Sequence, residues 1–177
     1  MGALLIDNDR IEQILEGRDA QPTIPPQETV DLDGVYILPG VIDEHVHFRE
    51  PGLTAKADFH TESLAAAAGG VTTILDMPNT LPTTTTSEAL EQKQAIAASK
   101  CHVNYGFFFG ATLDNADALS QLDTRNIAGV KLFMGASTGN MLVDDAEALR
   151  RVFANSPTIL VTHCEDTPTI SANMKAY

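Results

Sequence analysis

His45 and His47 stand two residues apart in Val41-Ile42-Asp43-Glu44-His45-Val46-His47-Phe48-Arg49-Glu50-Pro51-Gly52, a run that issues from Leu38-Pro39-Gly40 and ends in a Pro-Gly turn. Alternate side chains of a strand share a face, so the two imidazoles point the same way and Arg49 continues their line. Two neutral imidazoles held by one stiff element form half of a site for zinc or a neighbouring divalent metal. A bare His-x-His also occurs by chance on half-exposed strands, so its meaning depends on what accompanies it. Lys131 is the one charge in Ala128-Gly129-Val130-Lys131-Leu132-Phe133-Met134. A lysine buried in such a strand is rare unless its charge is paired or removed. It either meets a carboxylate, snorkels to the rim, or takes up CO2 as a carbamate, an anion able to bridge two metal ions. His163 follows the apolar run Ile159-Leu160-Val161-Thr162. Alone it reads equally well as a hydrogen-bonded core histidine; beside the His-x-His and the lysine it reads as a metal ligand. Arg49 offers a planar, permanently charged fork suited to a carboxylate. Asn79, in Asp76-Met77-Pro78-Asn79-Thr80, offers both a donor and an acceptor. His60 and His102 lie in or beside helical stretches and receive no role, and Cys164 should face away from His163.

These residues need strands that deliver them to one place. From Pro39 onward the chain alternates strand, loop and helix. Strands are expected at Val41–His47, Val71–Met77, Val103–Phe109, Ile127–Phe133 and Thr158–His163. Helices are expected at Asp58–Ala68, Ser87–Lys100, Asn115–Leu122 and Asp144–Asn155, the second with Ser87 as its N-cap and the last opened by a capping box from Asp144 to Glu147. A further loop or helix begins at Asp166 or Thr167, and a glycine-containing loop covers Gly135–Met141. Such alternation indicates parallel βα units, and nearly continuous apolar strands indicate a sheet covered on both faces. No Gly-x-Gly-x-x-Gly follows the first strand, which removes the simplest case for a nucleotide-binding open sheet. The candidate residues fall late in their strands, where a (β/α)₈ TIM-type barrel carries its chemistry. Residues 1–38 differ. Short strands at Ala3–Ile6 and Arg10–Leu15 flank a turn-rich triplet, and strands at Glu28–Leu32 and Val35–Leu38 flank the hairpin signal Asp33-Gly34. This segment is expected to be part of a small β-sandwich subdomain, with residues 39–177 forming the first part of the barrel.

The 177 residues are 44% hydrophobic, ordinary for a globular chain, and carry a net charge of −13. That balance argues against nucleic acid or an anionic membrane as partner, since both require a basic patch. It leaves room for an anionic small molecule at a local arginine. Two distant cysteines, Cys101 and Cys164, give no disulfide framework, which favours a reducing cytoplasm.

Taken together and in order, the motifs resemble those of the amidohydrolase superfamily, and within it the dihydroorotases. They are Pro39 to Gly52 as quoted, Ala67-Ala68-Gly69-Gly70-Val71-Thr72-Thr73, Asp76-Met77-Pro78-Asn79-Thr80, Gly129-Val130-Lys131-Leu132-Phe133 and Thr162-His163-Cys164-Glu165-Asp166. The resemblance covers essentially the whole chain. It implies that His45 and His47 bind the more buried metal, that Lys131 is carboxylated and bridges two divalent ions, Zn²⁺ being the expected metal, as a catalytic group, and that His163 binds the second ion. It further implies that Arg49 and Asn79 hold the α-carboxylate of dihydroorotate or N-carbamoyl-L-aspartate. A two-metal centre of that kind activates water and polarises an amide carbonyl, while a carboxylate carries the proton to the leaving nitrogen. Allantoinases and hydantoinases share the histidines and the lysine, so Phe48-Arg49-Glu50-Pro51-Gly52 with Asn79 must decide between substrates. Inactive dihydroorotase-like assembly partners are a third possibility, but such relatives lose ligand histidines and here each matching position is filled. A whole barrel takes roughly 250 residues and eight strands. Five are counted here, and the family's further metal-binding histidine and catalytic aspartate have no counterpart. The expectation is therefore a portion of a homo-oligomeric enzyme, a dimer being the simplest such assembly, and one that lacks turnover by itself.

Overall fold

The computed structural model describes residues 2–17, 19–135 and 140–176. They fall into two compact units, Met1–Pro39 and Gly40–Tyr177. In the first, β1 (Gly2–Asp7) and β2 (Arg10–Glu16) form an antiparallel hairpin with a register shift between Leu5 and Ile6. Asn8, in the connecting turn, has φ of 54°. Asparagine tolerates that left-handed geometry better than most residues. The second hairpin expected over residues 28–38 is not present. Asp33 and Gly34 do make the turn, with Val35 N–H donating to the Leu32 carbonyl at 3.2 Å, but no strands flank it. Val30 and Tyr36 are exposed among the described residues, and a two-stranded ribbon without an apolar face to cover is marginal in water.

In the second unit five strands form one parallel sheet in the order β3 (Val41–Val46), β4 (Val71–Asp76), β5 (Asn104–Gly110), β6 (Gly129–Phe133) and β7 (Leu160–His163). Each strand pairs with the next in sequence, and the sheet curls into a half-barrel. Four helices alternate with the strands: α1 (Phe59–Ala68), α2 (Ser87–Lys100), α3 (Ala146–Asn155) and, after β7, α4 (Thr167–Ala176). Asp58 caps α1 by accepting from Thr61 N–H at 2.8 Å, and Gly69-Gly70 stops it. Thr86 rather than Ser87 caps α2, and Asp145 rather than Asp144 caps α3, accepting from Ala148 N–H at 2.8 Å. The helix expected over residues 115–122 is a 3₁₀ turn, Leu119–Gln121. Part of the expected loop Gly135–Met141, residues 136–139, lies outside the described residues.

The core lies between sheet and helices. Phe109, Val130 and Leu132 pack with Val143, Ala148 and Val152, and Phe48, Ile74 and Phe107 pack with Phe59, Leu90 and Ala97. Phe59 is fully buried and meets Phe48 and Phe107 edge-on at 6.0 and 5.8 Å between ring centroids. This core fixes where the remaining side chains point. With Val130 and Leu132 turned to the helices, strand alternation turns Lys131 and Phe133 to the opposite, concave face. The register Lys131↔Val161 and Phe133↔His163 carries His163 to that face too. At the end of β3, Phe48 occupies the helix side, so His47 and His45 join them.

Candidate functional site

His45 lies in β3 and His47 immediately after it, with ring centroids 5.3 Å apart. His47 Nδ1 lies 2.8 Å from Asn79 Oδ1, just beyond β4. An amide oxygen only accepts, so Nδ1 carries the proton and the Nε2 lone pair of His47 is left for a metal. Burial, together with the charges of Arg49 and His45, holds His47 below the ordinary histidine pKa, while the Asn79 bond pulls the other way. Burial and the charge of Lys131 likewise lower His45, against a smaller opposing pull from Asp43.

Lys131 is 1% exposed, and its Nζ lies 5.0 Å from the centre of the Phe133 ring. Burial lowers its pKa, and no carboxylate among the described residues pairs with it. A desolvated amine with a depressed pKa has more of its neutral, nucleophilic form. The Phe133 ring lies 6.0 Å from that of His163. His163 Nε2 is a buried nitrogen without a hydrogen bond among the described residues, although Glu165 Oε1 lies 3.0 Å from it. That is an available donor beside a carboxylate. Three His, Cys, Asp or Glu side chains do not gather into a metal-binding group among the described residues. His45 in β3, His47 just after it, Lys131 in β6 and His163 at the end of β7 instead share the concave face of the sheet. Such a donor set fits a borderline metal once the amine is made anionic. Arg49 and Asn79 are both half-buried beside the histidine pair.

A family model described as dihydro-orotase-like matches residues 34–173. The chain belongs to the dihydro-orotase-like family. It is 38% identical over 178 residues to a dihydroorotase of Methanothermobacter thermautotrophicus, covering 96% of this chain and 37% of that protein. An allantoinase of Streptomyces avermitilis is 40% identical over 147 residues, covering 80% of this chain and 33% of that protein. Among solved structures, the L-hydantoinase (dihydropyrimidinase) of Arthrobacter aurescens superimposes with a TM-score of 0.86 at 29% identity, covering 99% of this chain and 39% of that one. The chain thus spans about two fifths of the length of the dihydroorotases it matches, 37% of one and 40% of another. All three relatives are cyclic amidohydrolases, and the half-barrel is the part of their (β/α)₈ fold that this chain aligns with.

Three residues at the site of this dihydro-orotase-like chain were not singled out in the sequence. Asp76 ends β4, and its Oδ1 accepts from Phe48 N–H at 2.7 Å. Lys93 of α2 makes a close ion pair with Asp76 Oδ2 at 2.6 Å and donates an aligned hydrogen bond to the Met77 carbonyl at 2.8 Å. Glu50 is buried and accepts from Phe59 N–H at 3.0 Å. One signal was available: Ala89, Leu90, Lys93 and Ala97 follow a helical spacing, which puts Lys93 in the buried stripe of α2.

Proposed function

We propose that this chain carries the metal-ligand and anion-binding half of a dihydroorotase, which interconverts L-dihydroorotate and N-carbamoyl-L-aspartate. One observation carries the reading: Asn79 bonds His47 at 2.8 Å while Arg49 sits two residues from that same histidine. A metal-facing imidazole and a receptor for a carboxylate are thereby joined in one stretch. Allantoinase and hydantoinase substrates offer no such carboxylate, and a buried or half-buried arginine without a counter-charge is costly.

In this reading His45, His47 and His163 would hold divalent ions of the zinc type, and Lys131 would add a further anionic ligand as a carbamate, formed by addition of its neutral amine to CO2 with loss of one proton. The ions, when bound, supply a nucleophilic water and polarise the ring carbonyl. Asn79 keeps His47 in the tautomer that presents Nε2. Arg49 pairs with the substrate carboxylate bidentately and orients the ring over the histidines. Asn79 Nδ2 adds a donor to the same carboxylate. The enzyme would act in the cytoplasm as a homo-oligomer, a dimer being the simplest such assembly.

The test uses the polypeptide made from its own gene, assayed on dihydroorotate, allantoin and a hydantoin. Turnover of dihydroorotate that disappears on chelation and returns with zinc is expected. In Arg49→Met, KM for dihydroorotate should rise on the order of a hundredfold with a smaller change in kcat, the pattern of a lost charge-assisted contact present throughout the reaction. Preferential turnover of allantoin or the hydantoin, or an unchanged KM in Arg49→Met, would overturn the assignment.

A further inference from the structure

Arg49 has a left-handed backbone, with φ of 68°. A non-glycine residue seldom keeps that conformation unless its surroundings impose it, and imposed strain concentrates where a side chain must be aimed. The surroundings here are two buried carboxylates, one on each side. Before Arg49, Phe48 N–H donates to Asp76 Oδ1 at 2.7 Å. After it, Glu50 Oε2 accepts from Phe59 N–H at 3.0 Å, which ties the loop to the first residue of α1. The Arg49 carbonyl itself accepts from Leu53 N–H at 3.0 Å. Each carboxylate has a lysine behind it, and both lysines come from α2: Lys93 at 2.6 Å from Asp76, and Lys100 at 2.5 Å from Glu50. Seven residues make nearly two helical turns, so Lys93 and Lys100 lie on one face of α2.

We propose that Lys93 and Lys100 act as a paired brace, through Asp76 and Glu50, that holds the backbone of Arg49 in its left-handed state and so aims its guanidinium. They are positioning residues: neither touches the histidine pair or the anion. The proposal rests on the reading of Arg49 as the anion receptor. The pairs neutralise the carboxylates in place. Asp76 and Lys93 are 1% and 0% exposed at their side chains, whereas Lys100 is 41% exposed. The buried pair therefore anchors the strand side permanently, and the half-exposed pair governs how readily the loop side opens. A role limited to capping α1 would be met by Glu50 alone and would not require a lysine two turns along from the Asp76 partner.

The Arg49–Glu50 peptide bond is itself a reporter, because trypsin cleaves after arginine only where the local backbone opens. In the 177-residue chain this bond should be cut much more slowly than the bond after Arg125, whose side chain is 85% exposed. Lys100→Met should speed cleavage after Arg49 on the order of tenfold, the local opening expected from loss of one charge-assisted hydrogen bond, and leave the Arg125 rate unchanged. Lys100→Arg should restore protection. Lys93→Met removes one partner of a fully buried pair and is the variant at risk of misfolding, so the decision rests on Lys100. Equal cleavage after Arg49 and Arg125 in the unsubstituted chain, or parallel acceleration at both in Lys100→Met, would overturn the brace. In the polypeptide made from its own gene the same substitution should raise KM for dihydroorotate with kcat little changed. Faster cleavage after Arg49 without a change in KM would leave the brace standing and overturn the anion role of Arg49.

Discussion

Asn79 uses half of its amide in the fold, with Oδ1 engaged by His47 at 2.8 Å, while Nδ2 makes no hydrogen bond among the described residues and is the half proposed to meet the substrate. The two halves can be separated chemically. Asn79→Asp keeps an oxygen to accept from His47 Nδ1 but replaces the donor with a like charge facing the substrate carboxylate. Zinc affinity should then stay within a few-fold, while KM for dihydroorotate rises by roughly tenfold or more. Asn79→Ala removes the acceptor too, and zinc affinity should fall about 10- to 100-fold, the usual cost of losing a ligand's hydrogen-bond partner. Zinc titration against a competing chelator, alongside KM, distinguishes these outcomes; equal zinc affinity in both variants would show that the His47 bond is idle. At this scale the sequence was informative wherever a polar residue broke an apolar run. Lys131 and His163 stand out in their strands for that reason, whereas the face they share is set by the β6–β7 register, which a sequence does not display. Asp76 breaks an apolar strand equally visibly, but its meaning depends on Lys93, and only folding brings a residue of α2 back to the end of β4.

The loop between β3 and α1 is an element whose shape is set by contacts with the β4–α2 loop. Gly52 has φ of 83°, and a Cβ built there would lie 2.1 Å from the Leu81 carbonyl oxygen. Leu81 N–H in turn donates to the Pro51 carbonyl at 3.0 Å. A Gly52→Ala chain meets both a disfavoured backbone and a backbone atom that has no room to yield, so it should be destabilised by roughly 2 kcal/mol or more. Chemical denaturation with an unchanged m-value checks this; a loss below about 0.5 kcal/mol would mean that the two loops part without cost. The buried pair behind the loop predicts a larger effect. Lys93→Met leaves Asp76 charged and buried, for a loss of about 3–5 kcal/mol, whereas Lys93→Met combined with Asp76→Leu should recover part of it. The elements that the sequence made legible are those with local determinants. Gly69-Gly70 ends α1, and the five strands have apolar runs of their own. The hairpin over residues 28–38 had an equally good turn signal in Asp33-Gly34, yet turn chemistry only permits a ladder, and the flanking residues have no apolar face to cover among the described residues. The helix caps were misplaced by one residue because threonine 86 and Asp145 are as competent as their neighbours.

At the scale of the molecule, two opposing features decide how copies of the chain behave toward one another. The outer strand β3 exposes Val41 and Ile42 at 54% and 59%, and Phe153 and Ile159 are exposed at 56% and 69%. Exposed apolar side chains near an outer strand of a sheet favour pairing with another copy. Against this stands a net charge of −13 at pH 7, which repels copies at long range. Acid protonates carboxylates and removes negative charge, so repulsion weakens as pH falls and vanishes near the isoelectric point of about 4.5. Salt acts in the same direction without changing protonation, since the screening length is about 8 Å at physiological ionic strength and shorter above it. Sedimentation velocity on the 177-residue chain should therefore show the least association at pH 7 in low salt, more at pH 7 in high salt, and the most near pH 4.5. Circular dichroism at each condition verifies that the fold is retained. A single monomeric species under all three conditions would mean that the exposed strand and helix residues do not recruit a second copy, and that the homo-oligomer proposed for the enzyme is built from other surfaces.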